Sequence, residues 1–330
     1  MSLLQAKNLS VVYGKRKPVN AVRNVSLEIG ENEFIGLVGE SGCGKSTLGF
    51  ALARLERVPA RLSGGEVWID GKNWATLKPN DIRPQRWNTL SIVLQSGMNA
   101  LNPVMTIGAQ FRDVMQEHTN MTGAKILKRS EEMLAMVNIP AGTLRRYPHE
   151  LSGGMKQRVA IALALVLRPK LVIMDEPTTA LDMVVQRQIV DNLLALREQQ
   201  PFSVLFISHD LGLVLELADR VIVMYAGEIV ENQQAGRMFE HAMHPYTRAL
   251  LQSLPDPEAQ AAIMGGIPGS PPDLRRPITG CTFAPRCPLV EEVCTTTAPA
   301  LTEIPHGQAR CHVTIRETQS QANRAHGDEL

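Results

Sequence analysis

The chain has 330 residues, with 34 Lys+Arg against 33 Asp+Glu and a formal net charge of +1. That length accommodates one large core plus a smaller unit, and the near-neutral balance argues against a surface dedicated to nucleic acid. Hydrophobic residues make up 44%, as in globular chains, and apolar runs such as Val159–Leu167 fall well short of the roughly 18–20 residues that span a bilayer. Met1–Lys7 lacks the apolar core of a secretory signal, so a cytosolic location is expected. There, five cysteines point to metal or reactive-thiol chemistry over disulfides.

Residues 2 to 32 read as strands joined by a turn. Ala21–Ile29 has apolar residues mostly at alternate positions, and Gly14–Pro18 interrupts the run before it. Tyr13 ends the first strand, where its ring is suited either to stack on a base or to fill a strand position. The apolar run Phe34–Val38 then leads into Gly39-Glu40-Ser41-Gly42-Cys43-Gly44-Lys45-Ser46-Thr47, and Leu48, Ala51, Leu52 and Leu55 follow at helical spacing. Strand, glycine loop and helix in that order form the context of a phosphate-binding P-loop. Its glycines let backbone N–H groups turn inward as an anion nest, and the helix N-terminus adds partial positive charge. Lys45 is expected on the outer phosphates and the Ser46 hydroxyl on Mg²⁺. Cys43 reads either as a thiol activated by Lys45 and the helix N-terminus or as a small filler.

Glu66–Ile69 predicts another strand, and the short apolar run Leu90–Leu94 ends at Gln95. Residues 98–139 look helical and carry six methionines, suited to a helical core or to gripping a partner. Leu151-Ser152-Gly153-Gly154-Met155-Lys156-Gln157-Arg158 opens a helix with backbone donors at its N-terminus, a second candidate phosphate contact. Leu171–Met174 followed by Asp175-Glu176 fits a buried strand delivering two acids to the edge of a parallel sheet. There Asp175 would hold Mg²⁺ through water, and Glu176 would activate the attacking water. Ser203–Ile207 delivers His209 to the same edge, toward the γ-phosphate.

Together these segments resemble the ATP-binding-cassette (ABC) ATPases over residues 3–235. The P-loop, Gln95, the Leu-Ser-Gly-Gly signature, Asp175-Glu176, Thr179-Ala180-Leu181-Asp182 and His209 stand in the family's order. The resemblance implies an α/β P-loop core of mainly parallel sheet flanked by helices. It adds an antiparallel β subdomain and a helical subdomain near residues 96–150. It also implies a head-to-tail pair of cassettes. Each ATP is then held by one P-loop (Gly39, Ser41, Gly42, Cys43, Gly44, Lys45, Ser46, Thr47) and by the partner's Ser152, Gly153, Gly154 and Gln157. Tyr13 would stack on adenine, Gln95 would reach Mg²⁺ and the attacking water, and Asp182 would couple the two sites. Glu176, His209 and Gln95 would carry hydrolysis.

From Gly236 onward prolines cluster, helical periodicity fades, and Cys281, Cys287, Cys294 and Cys311 occur with the spacing C-x5-C-x6-C-x16-C. Four thiolates among loop-forming prolines read as a metal site, and the spacing leaves [4Fe–4S] and zinc both open. His244–Leu251, Ile267–Pro272 and Cys281–Pro288 are similar to the C-terminal extension of the oligopeptide/dipeptide/nickel importer ATPases. That resemblance implies a structural [4Fe–4S] cluster on the four cysteines, within a small extension covering residues 236–330. It also implies two membrane permease subunits, an extracytoplasmic binding protein and a second related ATPase subunit, with a homodimer as the alternative. The protein would then sit at the cytoplasmic face of the cell membrane. Ser96-Gly97-Met98-Asn99 departs from the acidic residue and proline usual in peptide importers. Oligosaccharide, glycoside or nickel import therefore stands beside oligopeptide and dipeptide uptake. A non-transport cassette is disfavoured, since neither a long coiled-coil insertion nor a second cassette occurs. A redox or sensor role is disfavoured by the complete hydrolytic set.

Overall fold

A computed structural model describes residues 2–95, 100–178, 183–199, 201–254 and 267–316. Its strands are β1 (Ser2–Tyr13), β2 (Val19–Gly30), β3 (Phe34–Val38), β4 (Ala60–Ile69), β5 (Lys72–Asn73) and β6 (Leu90–Val93). They continue with β7 (Leu171–Asp175), β8 (Ser203–Ile207), β9 (Arg220–Tyr225), β10 (Glu228–Gln234), β11 (Thr302–Ile304) and β12 (Gly307–Ala309). A four-stranded antiparallel sheet has the order β2-β1-β4-β5, and an eight-stranded sheet has the order β11-β12-β10-β9-β3-β8-β7-β6. The β1–β2 ladder shifts register between Ala6 and Val11. Asn8 (φ 50°) and Asn24 (φ 48°) adopt the left-handed conformation there, which Asn tolerates better than most residues. Ser26 Oγ and Ser10 Oγ accept their backbone N–H groups.

The strands from β9 through β3, β8 and β7 to β6 run parallel. Every residue of β3, β7 and β8 is buried, as expected of strands covered on both faces. The two-residue side-chain period divides each strand between two cores. Phe34, Val172, Met174, Val204 and Phe206 pack on the side of the helical region. Ile35, Leu37, Ile173, Leu205 and Ile207 pack with the antiparallel sheet and the helix Lys45–Leu52. At Gly36, midway along β3, a Cβ would lie 2.0 Å from Val214 Cγ1 of the helix Leu211–Leu217. Only glycine permits that approach.

The stretch expected to be helical resolves into two helices, Ile107–His118 and Gly123–Met136. Met115 and Met133 are fully buried beside Phe111 and Leu134, so these methionines serve the core. Met98 lies outside the described residues. Helical structure does not fade at Gly236, since Ala235–His241 and Pro245–Gln252 are both helices. Elements of seven and eight residues are too short for a periodicity window of about 11–18 residues to register.

The extension is built onto the main sheet. β12 pairs with β10 and carries β11 with it. Among the described residues no metal-binding unit forms there, which corrects the expectation of a [4Fe–4S] or zinc site. Among the described residues, no group of three or more His, Cys, Asp or Glu side chains could hold a metal ion. Cys281, Cys287, Cys294 and Cys311 are free thiols. Cys294 packs as a small apolar residue with Ala284 and Val313, against Cys281 and Cys311. Burial pushes the Cys281 thiol up to about 11 and also raises Cys287, so both are protonated thiols in the metal-free protein.

Glu231 anchors the start of this extension. It is fully buried, and its carboxylate accepts the N–H groups of Met243 (2.7 Å) and His244 (3.0 Å). Burial drives its pKa upward, partly opposed by these donors. His244 is pushed down to about 3 by burial, so the neutral ring accepts the Tyr246 N–H at Nδ1. Glu231→Ala strands two buried N–H groups at about 1–3 kcal/mol each. It should lower stability by about 2–5 kcal/mol in denaturant unfolding.

Candidate nucleotide site

Parallel strands deliver their C-terminal ends to one edge, and the sequence-predicted residues collect there. The loop after β3 reaches Lys45, the first residue of the helix Lys45–Leu52. The N–H groups of that helix's first turn have no intrahelical carbonyl to bind, so they face the loop. Gly44 has φ 106°, and a Cβ there would lie 2.2 Å from the Ala21 carbonyl oxygen. Lys45 is buried and donates Nζ to the carbonyls of Gly39 (2.7 Å) and Glu40 (3.1 Å). Cys43 is buried in the same loop, and burial raises its thiol pKa, which fits a filler better than an activated thiol.

Ser46 Oγ donates to Asp175 Oδ1 at 2.8 Å, joining the P-loop helix to the end of β7. Asp175 is buried, and burial raises its carboxyl pKa, with Ser46 pulling the other way. A neighbouring serine and carboxylate are hard oxygen donors of the kind Mg²⁺ takes alongside triphosphate and water. Glu176 follows in the left-handed conformation, φ 46°. Its N–H is held by the Ile207 carbonyl at 2.9 Å. Its carboxylate accepts Gln95 Nε2 at 2.8 Å and lies 3.6 Å from His209 Nδ1. Gln95, Glu176 and His209 thus come together from the ends of three adjacent strands. Asp210 caps the next helix by accepting the Leu213 N–H at 3.0 Å, which leaves His209 exposed at the turn.

The Tyr13 hydroxyl lies 3.0 Å from Thr47 Oγ1. Both residues line a cavity of about 380 Å³ together with Phe50, Arg57 and Leu94. Ser152 caps the helix Gly153–Leu165, its hydroxyl accepting the Met155 N–H at 3.3 Å. A Cβ on Gly154 would meet Val185 Cγ1 at 2.9 Å. Gln157 is buried within its own chain rather than presented on the surface. Asp182, with Thr179, Ala180 and Leu181, lies outside the described residues, as does Ser96–Asn99.

Sequence reasoning missed the polar frame around Glu40. Arg286 makes a two-point contact with its carboxylate, at 2.8 and 2.9 Å, and the Glu40 N–H donates to the Tyr246 hydroxyl at 2.8 Å. His244-Pro245-Tyr246 and Pro285-Arg286 stood out as motif blocks, but nothing local shows where their side chains reach.

A glycine loop opening a helix, with a serine–aspartate pair and a second acid at the same sheet edge, defines a P-loop nucleoside triphosphatase. Comparison with known proteins narrows this class. Residues 22–179 match the ABC transporter family, and residues 230–294 match the oligopeptide/dipeptide transporter C-terminal region. The chain is 42% identical, over 93% of each chain, to a probable peptide ABC transporter ATP-binding protein of Sinorhizobium fredii. It is 41% identical to the dipeptide transport ATP-binding protein DppD of Haemophilus influenzae, covering 96% of this chain and 97% of that one. Among solved structures, the dimeric post-hydrolysis ATP-binding cassette MJ0796 bound to ADP and Pi aligns with TM-score 0.64 and 29% identity. That alignment covers 70% of this chain and 98% of the cassette. The chain belongs to the ABC-transporter ATPase subunits, homologous to the oligopeptide/dipeptide importer ATP-binding proteins.

Asp175 carries a testable compromise. Because its pKa is raised, stability falls as pH rises from the ordinary carboxylate value through the raised one. Asp175→Asn should abolish ATP turnover yet stabilise the nucleotide-free protein at pH 7 by about 1 kcal/mol. Phosphate release and denaturant unfolding on the same preparation check both halves.

Proposed function

We propose that this chain binds and hydrolyses ATP to drive peptide uptake through an ABC importer. The observation that carries the reading is likeness across nearly the whole chain. It includes the C-terminal region at residues 230–294, which the ATPase core alone would not specify. In functional terms residues 1–235 are the ATPase unit and 236–330 the extension. Family membership implies permease subunits and a substrate-binding protein as partners. Among the described residues no helix is long and apolar enough to cross a membrane; a place on the cytoplasmic face is what the family reading implies. A groove of about 250 Å³ lined by Arg86, Trp87, Leu90, Leu101, Ala160 and Leu163 suits a short apolar helix of a permease.

The chemistry follows from the sheet edge. Lys45 and the loop N–H groups bind the triphosphate, and Tyr13 faces the base. Ser46, Asp175 and Gln95 would hold Mg²⁺, which neutralises charge on the phosphate oxygens. Glu176 accepts a proton from the attacking water, with Gln95 and His209 fixing the carboxylate and the γ-phosphate. The signature residues Ser152, Gly153 and Gly154 belong to the opposite half of a dimer site, and Asp182 to its coupling. Support comes from the dimeric form of the MJ0796 cassette, and we favour a related second ATPase chain as the partner.

Glu176→Gln should preserve ATP binding and reduce turnover by about 100-fold or more. Near-normal steady-state phosphate release would overturn its role. Lys45→Ala should weaken ATP binding itself by about 10- to 100-fold, the loss of a charge-assisted contact. The substrate class is tested by purifying the native complex and measuring ATPase activity with peptides, oligosaccharides or nickel present. Stimulation by peptides alone is expected, and stimulation only by another class would overturn peptide uptake.

A further inference from the structure

Among the described residues, the extension's hydrogen bonds to the nucleotide loop converge on Glu40 and hold it by both its backbone and its side chain. The Glu40 N–H donates to the Tyr246 hydroxyl at 2.8 Å, and its carboxylate receives both Nη atoms of Arg286 at 2.8 and 2.9 Å. The Glu40 carbonyl meanwhile accepts Lys45 Nζ at 3.1 Å and the Cys43 N–H at 3.3 Å. One residue therefore links the extension to the lysine expected on the outer phosphates. Arg286 is itself held from every direction. Its Nε donates to the Pro268 carbonyl at 2.8 Å, one Nη to the Ile267 carbonyl at 3.0 Å, and the other to the Tyr225 hydroxyl at 3.2 Å. The guanidinium also lies over the rings of Tyr225 and Phe283, at 5.8 and 6.0 Å from their centroids.

A side chain that is only 4% exposed and engaged on all its donors cannot follow a moving partner. The planar fork also fixes the orientation of the carboxylate, which a lysine ammonium would leave free. Tyr246 is equally constrained, packed against Tyr225 and Phe283 with centroids 4.6 and 5.4 Å away. The rigid element is thus the extension, and the element it restrains is a glycine loop with little stiffness of its own.

We propose that the C-terminal extension positions the nucleotide loop in cis, with Arg286 acting as a positioning residue through Glu40. The proposal rests on the reading of Gly39–Thr47 as the ATP site. It differs from a role in which Arg286 only fastens the extension to the core, because fastening does not require the phosphate loop to be its anchor. It also differs from direct attraction between Arg286 and phosphate, and the two part company at Glu40. Removing a negative charge beside a triphosphate should tighten binding on electrostatic grounds alone, whereas removing the arm through which the loop is held should weaken it.

The test uses the full chain with Mg-ATP, titrated by fluorescence, for Arg286→Met, Glu40→Gln and the double variant. Each single change should raise the ATP Kd by about 3- to 30-fold, with KM rising in step, and the double should be no worse than the worse single. ATP binding as tight as wild type in Arg286→Met, tighter binding in Glu40→Gln, or losses that multiply in the double would each overturn the proposal. If Arg286→Met fails to fold, Arg286→Lys takes its place: a raised Kd supports the fork, and a wild-type Kd overturns it. Lys45→Ala, measured alongside, separates the two readings. Unaltered ATP binding in that variant would remove the nucleotide site itself, whatever Arg286 does.

Discussion

The hydrogen bond from Ser46 to Asp175 is the contact on which the site depends. It joins residues 129 positions apart, and it exists only because β3 and β7 flank β8 in one parallel register. The three strands end together, so the loop after β3, the acids at the end of β7 and the histidine after β8 share one edge. A one-residue slip of β7 would exchange its two buried faces, pointing Ile173 and Met174 into the wrong cores. The same apolar alternation that stabilises the sheet therefore sets the distance between the P-loop serine and the acid. Fold and site are a single specification here.

Some stability is given up at that edge. Glu176 adopts a left-handed backbone conformation that costs a non-glycine residue roughly 1–3 kcal/mol, and Asp175 keeps a carboxylate buried against desolvation. Both penalties fall on adjacent residues whose geometry turns one acid toward Ser46 and the other toward Gln95 and His209. A relaxed backbone at Glu176 would follow the strand direction and carry its carboxylate away from the Gln95 amide. The surrounding parallel sheet, buried on both faces, is what holds such a strained turn in place. This is where a local departure from preferred conformation is most informative about chemistry.

Much of this is legible in the sequence alone. Phe34–Val38 and Leu171–Asp175 are uninterrupted apolar runs, and Gly42-Cys43-Gly44-Lys45-Ser46 stands between a strand and a helix. Such local patterns report local structure faithfully. What they could not report were contacts made by chance of folding rather than by neighbourhood. Arg286 and Glu40 lie 246 residues apart, and neither belongs to a periodic pattern that would predict the meeting. The cysteines failed for the opposite reason. Their spacing suggested a shared metal, but among the described residues no group able to hold one forms, and how side chains converge is not written in spacing. Cys294 lies against Ala284 and Val313, where a thiol is simply a small apolar side chain.

The extension draws its order from its attachment to the main sheet. Here β12 continues the main sheet through β10, so its backbone groups are satisfied by the core rather than by an independent fold. Arg310 ties the same edge by donating from its backbone N–H to the Val230 carbonyl at 2.9 Å and from Nε to the Ile229 carbonyl at 3.0 Å. Tyr246 and Phe283 then close against Tyr225, the last residue of β9, at the end of the sheet where the nucleotide loop lies. The extension thus borrows its stability from the strands that build the site. An element anchored in that way transmits any displacement of the loop into the sheet, and any loosening of the sheet into the loop. Its fastening near the nucleotide site is carried by the side chains that meet at Glu40.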